Sequence, residues 1–163
     1  VPMVDSAEEA AHIVACTRYP PLGKRGAAFG FAHDDYEGGD VAAKIAALHE
    51  RTLVIAQIET ADGLANVEAI AAVPGVDALW LGHFDLTNFM GIPGQFDHPA
   101  YLAGVQHIVQ ACERNGKTAA FLATDATWAR AYHAHGFRLM AYGIDQALLQ
   151  NALKQGLDLL KGL

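Results

Sequence analysis

The chain has 163 residues, of which 52% are apolar and 18% charged, and its formal net charge at pH 7 is −7. This composition is typical of a folded globular domain and excludes an extended disordered region. The eleven basic residues are scattered along the chain, which argues against partners such as nucleic acid or an anionic membrane surface. No apolar run reaches the roughly 18 residues that a membrane span requires.

The cysteine content and the N-terminus predict a compartment. Cys16 and Cys112 each lie in a helix-like stretch, so no disulfide framework is expected and a reducing cytoplasm is predicted. The first residues, Val-Pro-Met-Val-Asp-Ser, have neither a charged region nor an initiator methionine. A signal peptide is therefore not expected, and the chain is expected to begin inside a longer protein.

Short strands and helices are predicted to alternate along the chain. The first part is expected to hold a strand at 1–4, a helix at 7–16 capped by Asp5-Ser6, and loops at 17–26 and 31–39. Helices then follow at 41–49, 62–72, 99–115, 125–135 and 145–160, and strands at 53–58, 78–81, 118–122 and 138–142, with a turn near 89–93. Glycines between a helix and the next strand are expected in the left-handed conformation: Gly75, Gly116 and Gly136.

This alternation predicts a single α/β domain over residues 1–163 with a parallel sheet of five βα units. An open doubly wound sheet can be built from five strands, whereas a β/α barrel needs eight strands and typically about 250 residues. If the fold is a barrel, the chain is its C-terminal part and the N-terminal units are absent.

Two carboxylates are the leading candidates for function. Glu59 and Asp85 each follow an apolar run that predicts a buried strand, and they lie 26 residues apart. Parallel strands would bring both to the same carboxyl edge, where such folds bind ligands. Gln57 alternates with Ile58 and points to the same side as Glu59. Two carboxylates with water and a bidentate substrate suit Mg²⁺ or Mn²⁺. The alternative is that both acids only cap the helix or turn that follows.

Four motifs, in this order, resemble one family over nearly the whole chain. They are Arg-Tyr-Pro-Pro-Leu-Gly-Lys-Arg-Gly at 18–26, Gln-Ile-Glu-Thr at 57–60, Val-Asp-Ala-Leu-Trp-Leu-Gly-His-Phe-Asp-Leu at 76–86, and Ala-Tyr-Gly-Ile-Asp at 141–145. The sequence is similar to the HpcH/HpaI class II pyruvate aldolases. The resemblance implies a (β/α)₈ TIM barrel of the phosphoenolpyruvate/pyruvate type that cleaves or forms 4-hydroxy-2-keto acids, giving pyruvate and an aldehyde.

The resemblance also implies roles for individual residues. Glu59 and Asp85 would hold a divalent metal, Mg²⁺ or Mn²⁺ with Co²⁺ as a further option, which stabilises the pyruvate enolate. Gln57 would contact pyruvate, and Leu122 would line the pocket. Backbone amides would meet the substrate carboxylate along the segment Gly82, His83, Phe84 and Asp85. No Schiff-base lysine is required.

The chain departs from the family pattern in two places. Relatives often have Gly-Pro-Ser-Asp where this chain has Gly-His-Phe-Asp at 82–85, which leaves its substrate preference open. The family's enolate-stabilising arginine and its Asp/His base are expected upstream of Val1, so the catalytic residues are unknown from this chain. A citryl- or malyl-CoA-type lyase and a non-catalytic barrel fragment or split-barrel subunit are the alternatives.

The remaining candidates are weaker. His83 is either a substrate-contacting or proton-transferring group or a packing residue. His133 and His135 are two positions apart and point in different directions on a helix, which favours a surface role. The cations of the 17–26 loop face either an anionic aldehyde or solvent, and a structural loop is favoured. No glycine-rich phosphate loop is present.

Two apolar segments predict further contacts. The loop 89–96 either roofs the pocket or packs on a neighbouring subunit. The last helix is apolar on more than one face, which suggests contact with another copy. The resemblance implies a dimer-built hexamer in which this helix packs across the dimer.

Overall fold

Four parallel strands form one sheet in the computed structural model, which describes residues 1–163. They are hydrogen-bonded side by side in chain order: β1 (Ile55–Ile58), β2 (Ala78–Leu81), β3 (Thr118–Ala123) and β4 (Leu139–Tyr142). Each strand is parallel to the next, so each connection returns through helical segments. The predicted parallel α/β architecture is confirmed, and all four strand ends meet at one edge.

Eight α-helices connect and flank the strands. They are α1 (Ala7–Thr17), α2 (Val41–Arg51), α3 (Ala61–Ala65), α4 (Val67–Ala71), α5 (His83–Phe89), α6 (Pro99–Arg114), α7 (Ala126–His135) and α8 (Asp145–Lys161). A short 3-10 helix, Ala32–Asp34, lies in the loop before α2. None of the helices combines the length and the apolar character needed to span a bilayer.

Local sequence signals set the ends of most helices. Ser6, Asp40 and Asp125 each precede a helix, and their side chains accept hydrogen bonds from backbone N–H groups of the first turn, satisfying donors that have no partner inside the helix. The glycines expected in the left-handed conformation all have positive φ: Gly75 (91°), Gly116 (64°) and Gly136 (111°). The predicted cap at Ser6 and the three left-handed glycines are confirmed, whereas Asp125, predicted as the first residue of a helix, lies one residue before it.

The predicted first strand is wrong: the sheet has four strands instead of five. The first four residues nevertheless lie beside β1, because Val1 N donates to the carbonyl oxygen of Ile55 (2.7 Å), Gln57 N to that of Val1 (2.9 Å) and Val4 N to that of Gln57 (3.3 Å). Met3 has φ of 55°, a left-handed conformation that breaks regular strand geometry. The segment is therefore an extended edge that covers β1.

Two helical regions also differ from the prediction. The single helix expected at 62–72 is divided into α3 and α4 at Asn66, whose φ and ψ are −97° and 7° and whose side-chain amide donates to the carbonyl oxygen of Asp5 (2.7 Å). The helix α5 was not predicted, because no side-chain cap marks its start.

Helices α6 and α7 pack on one face of the sheet. Side chains on that face, such as Ile58, Leu81 and Phe121, are fully buried in a single apolar core. Gln57, Trp80 and Leu122 alternate with them and are only half-buried, as expected for the opposite face. The observed sheet is open, with β1 and β4 at its two edges.

Candidate functional site

Glu59 follows β1 directly and is almost completely buried, with 3% of its surface exposed. Its Oε1 accepts a hydrogen bond from Met3 N (2.9 Å), and its Oε2 accepts one from Gln57 Nε2 (2.5 Å). No lysine, arginine or histidine forms an ion pair with it. A buried carboxylate is normally paired with a cation or coordinated to a metal, so Glu59 is a candidate metal ligand.

The structure excludes helix capping as the role of Glu59. The cap of α3 is Thr60, whose Oγ1 accepts a hydrogen bond from Gly63 N (2.8 Å) and donates to Asp5. The hydroxyl therefore satisfies the helix end, and the neighbouring carboxylate is left for another purpose.

Gly82, at the end of β2, packs directly against this carboxylate. Its N–H donates to the carbonyl oxygen of Ile58 (3.0 Å). A Cβ placed on Gly82 would lie 2.5 Å from Glu59 Cβ, 2.5 Å from Glu59 Oε2 and 2.9 Å from Gln57 Nε2. Only a hydrogen atom fits at this position, so the ends of two adjacent strands meet at Glu59.

The structure places Asp85 differently from the sequence prediction. It lies in the first turn of α5, four residues beyond the end of β2, and its side chain is exposed. Asp85 does not cap that helix, because the cap residue is Gly82 and no side chain accepts a hydrogen bond there. The Asp85 carboxylate therefore lies in α5, which starts directly after Gly82, the residue that packs against Glu59, and it is exposed to solvent.

His83 packs among aromatic rings. Its ring centroid is 4.6 Å from Phe84, 5.0 Å from Phe121 and 5.2 Å from Trp128, and the residue is buried. Burial lowers the pKa of His83, and the charge of Asp85 opposes this effect without reversing it. The environment favours a neutral packing imidazole, whereas Phe84 is 58% exposed.

Gln57 and Leu122 lie on the same face of the sheet. Gln57 is paired with Trp80 and Trp80 with Ala120, two residues before Leu122. Both predicted residues are half-buried. The face that carries Gln57 therefore continues across β2 to Leu122, opposite the helices.

The cations of the 17–26 loop make contacts within the chain. Arg18 Nη1 donates to the carbonyl oxygen of His49 (2.5 Å), and the guanidinium of Arg25 lies 4.8 Å from the centre of the Tyr19 ring. Lys24 Nζ is 2.9 Å from His12 Nδ1. These contacts match the structural role favoured from the sequence.

Two parts of this site could not be identified from the sequence. The Met3 amide reaches Glu59 because the first four residues lie beside β1, and no motif marks that contact. Gly82 is one glycine of a family motif, and its residue type alone does not reveal that it packs against Glu59. No group of three histidine, cysteine, aspartate or glutamate side chains is arranged to hold an ion, so a metal here would need water or substrate oxygens to complete its shell.

Comparisons with known proteins place the chain among related sequences. The family model for HpcH/HpaI aldolase/citrate lyase matches residues 1–152. A hydroxypyruvate/pyruvate aldolase from Chromohalobacter salexigens is 43% identical over 99% of this chain and 63% of its own length. A 2-keto-3-deoxy-L-rhamnonate aldolase from Salmonella dublin is 37% identical over 99% of this chain and 60% of its own length.

A solved structure gives the same relationship. The HpcH/HpaI aldolase from Desulfitobacterium hafniense DCB-2 superposes with a TM-score of 0.88 at 30% identity, covering 100% of this chain and 63% of that one. The chain thus spans 60–63% of the length of these relatives. The protein belongs to the HpcH/HpaI aldolase/citrate lyase family.

Proposed function

We propose that this chain carries the metal-binding half of a class II pyruvate aldolase, which cleaves or forms 4-hydroxy-2-keto acids to give pyruvate and an aldehyde. The observation that carries the proposal is the buried Glu59 carboxylate, which has two hydrogen-bond donors and no cationic partner. The curated relatives named above are aldolases, which supports the reaction class.

The donor set fits a hard divalent cation. Glu59 and Asp85 supply only oxygen ligands, and Mg²⁺ is usually held by one or two carboxylates with substrate and water. Mn²⁺ accepts the same ligands, and we propose one of these two ions, with Co²⁺ as a further option. Such an ion supplies positive charge to the enolate that develops on pyruvate.

The chain's own residues would orient the substrate. Gln57 Nε2 holds Glu59 Oε2, and we assign its remaining amide capacity to the pyruvate moiety. We assign the contact with the substrate carboxylate to backbone amides of residues 82–85, and an apolar contact to Leu122. The proposed fold of the complete enzyme is the closed (β/α)₈ barrel.

Mn²⁺ binding to the chain tests the ligand assignment directly. Glu59→Gln and Asp85→Asn should each weaken Mn²⁺ binding at least about tenfold in an EPR titration. Glu50→Gln, at an exposed carboxylate on α2, is the matched control and should bind as the parent does. Equal Mn²⁺ affinity in all four proteins would refute the assignment.

The substrate class needs separate measurements. Addition of pyruvate should change the EPR spectrum of the bound Mn²⁺, and exchange of the pyruvate methyl protons should depend on the metal. The family description also includes citrate lyase, so citryl-CoA and malyl-CoA are tested in parallel as alternative substrates. If the acyl-CoA compounds changed the spectrum and pyruvate did not, the chain would be assigned to a citryl- or malyl-CoA-type lyase instead of an aldolase.

We also propose that α8 joins two copies of the chain. None of its residues is buried, and its exposed apolar side chains include Leu149, Leu153, Leu157 and Leu160. An apolar surface of this kind marks an interaction site. A dimer formed through this helix, as the unit of a hexamer, would cover it.

A further inference from the structure

A pocket of about 180 Å³ lies beside α6 and α7. Its walls include Phe96, Trp128 and Tyr132. The Phe96 and Trp128 rings are 5.1 Å apart and nearly perpendicular (78°), whereas Trp128 and Tyr132 are stacked at 5.5 Å. The pocket therefore has a corner formed by aromatic rings in two orientations.

One formal charge lies at this pocket. Asp97 is exposed and lines it, together with the neutral hydroxyl of Thr127 and the imidazole of His135. No lysine or arginine lines the pocket. Burial, and to a smaller extent the charge of Asp97, raises the pKa of Tyr132, so the field of this carboxylate reaches the aromatic wall.

Two of the other polar side chains, Tyr132 and His135, have partners within the chain. The Tyr132 hydroxyl lies 2.5 Å from the Tyr101 hydroxyl, and His135 Nδ1 lies 3.3 Å from Gln106 Nε2. Asp97 is thus the group with the greatest unused capacity to bind a ligand.

The lining excludes several ligand classes. An anion would meet a carboxylate and no basic side chain, and a bare metal ion would find one carboxylate and one imidazole, fewer than a stable site needs. The volume is below that of sites for drug-sized molecules, about 300–1,000 Å³. A small organic cation satisfies all three observations, because aromatic rings and a carboxylate both attract it.

We propose that this pocket binds a small organic ammonium ion of about the size of choline. The methylated nitrogen contacts the rings of Phe96 and Trp128, and its charge is balanced by Asp97. The pocket lies on the helix-covered face, where Trp128 stacks on Phe121, whereas Gln57 faces the other side of the sheet. The proposal does not rest on the aldol chemistry proposed above, although the ring of His83 packs against both Phe96 (5.6 Å) and Trp128 (5.2 Å).

Tryptophan fluorescence tests the proposal. The chain has two tryptophans, so Trp80→Phe leaves Trp128 as the only reporter. Choline should produce a saturable change in emission, and its neutral isostere 3,3-dimethyl-1-butanol should bind at least fivefold more weakly. Asp97→Asn should weaken choline binding at least fivefold, whereas Glu8→Gln, at an exposed carboxylate on α1, should not change it.

A second measurement covers the case in which Trp80→Phe does not fold. Saturation-transfer NMR on the choline methyl protons uses the unmodified chain and Asp97→Asn, and the signal should fall at least fivefold in the variant. Equal binding of choline and the neutral isostere, no effect of Asp97→Asn, or no saturable response would each overturn the proposal.

Discussion

Replacement of Gly82 by alanine should disturb the Glu59 carboxylate more than the backbone. The φ and ψ of Gly82 are −89° and 78°, outside the left-handed region, so the effect arises from packing alone. The added Cβ would lie 2.5 Å from Glu59 Cβ, about 1 Å inside the optimal separation of two carbon atoms, roughly 3.5–4.0 Å. Glu59 Cβ is fixed to the backbone at the end of β1, so it cannot move away as a flexible side-chain tip would.

The size of this effect follows from that overlap. Overpacking a well-packed site costs about 1–3 kcal/mol, and in a chain of this size each kcal/mol lowers Tm by about 2–4 °C. Displacement of the carboxylate should also weaken Mn²⁺ binding at least about tenfold. Differential scanning fluorimetry and EPR titration measure the two effects.

The matched control is Gly26→Ala, because a Cβ at Gly26 has no neighbour within 4 Å. It should change the free energy of unfolding by no more than about 0.5 kcal/mol and leave Mn²⁺ binding unaltered. If Gly82→Ala were as stable as Gly26→Ala and bound Mn²⁺ equally well, the close contact between Gly82 and Glu59 would be refuted.

Three further predictions concern other parts of the chain. Tyr132→Phe leaves the buried Tyr101 hydroxyl without its partner at 2.5 Å and should lower the free energy of unfolding, measured in urea, by about 1–3 kcal/mol. The double variant with phenylalanine at both Tyr101 and Tyr132 should be less destabilised than the sum of the two single variants. Hydrogen bonds, first from a backbone N–H and then from a lysine, lower the pKa of Asp34 from 3.8 to about 2. The ionised Asp34 stabilises the fold fully at pH values above the pKa that this residue has in the unfolded chain, and this contribution is lost as pH falls towards 2. Tm should therefore fall less steeply below pH 4 in Asp34→Asn than in the parent. Equal slopes of Tm against pH would contradict this. Serine at both Leu149 and Leu153 should abolish self-association in sedimentation equilibrium, because both leucines are exposed on α8. Unchanged association would exclude this face as the contact.

The regular part of the fold could be predicted from the sequence because local signals mark it. The cap at Ser6 and the glycine turn at Gly136 depend only on neighbouring residues. The strand predictions rest on apolar runs, most of whose residues are buried in β2 and β3, whereas none is buried in β4. The first strand was predicted wrongly because the left-handed φ of Met3 is not apparent from residue type.

The candidate site was predictable in part. Glu59 was identified from its position after an apolar run, and the structure shows it buried beside Gln57, while its role as a metal ligand stays a prediction. Asp85 was expected at a strand end, but the run that contains it changes from strand to α5 after Leu81, and an apolar run does not reveal where that change occurs. The contact between Gly82 and Glu59 depends on pairing of distant strands, which no local pattern encodes.

Anomalous diffraction from a crystal soaked in Mn²⁺ tests the central claim most directly. The account predicts one anomalous peak within about 2.0–2.3 Å of carboxylate oxygens of both Glu59 and Asp85, as expected for a small divalent ion with oxygen ligands. A peak only at other acidic residues, or no peak at saturating Mn²⁺, would contradict the assignment of these two carboxylates as the metal ligands.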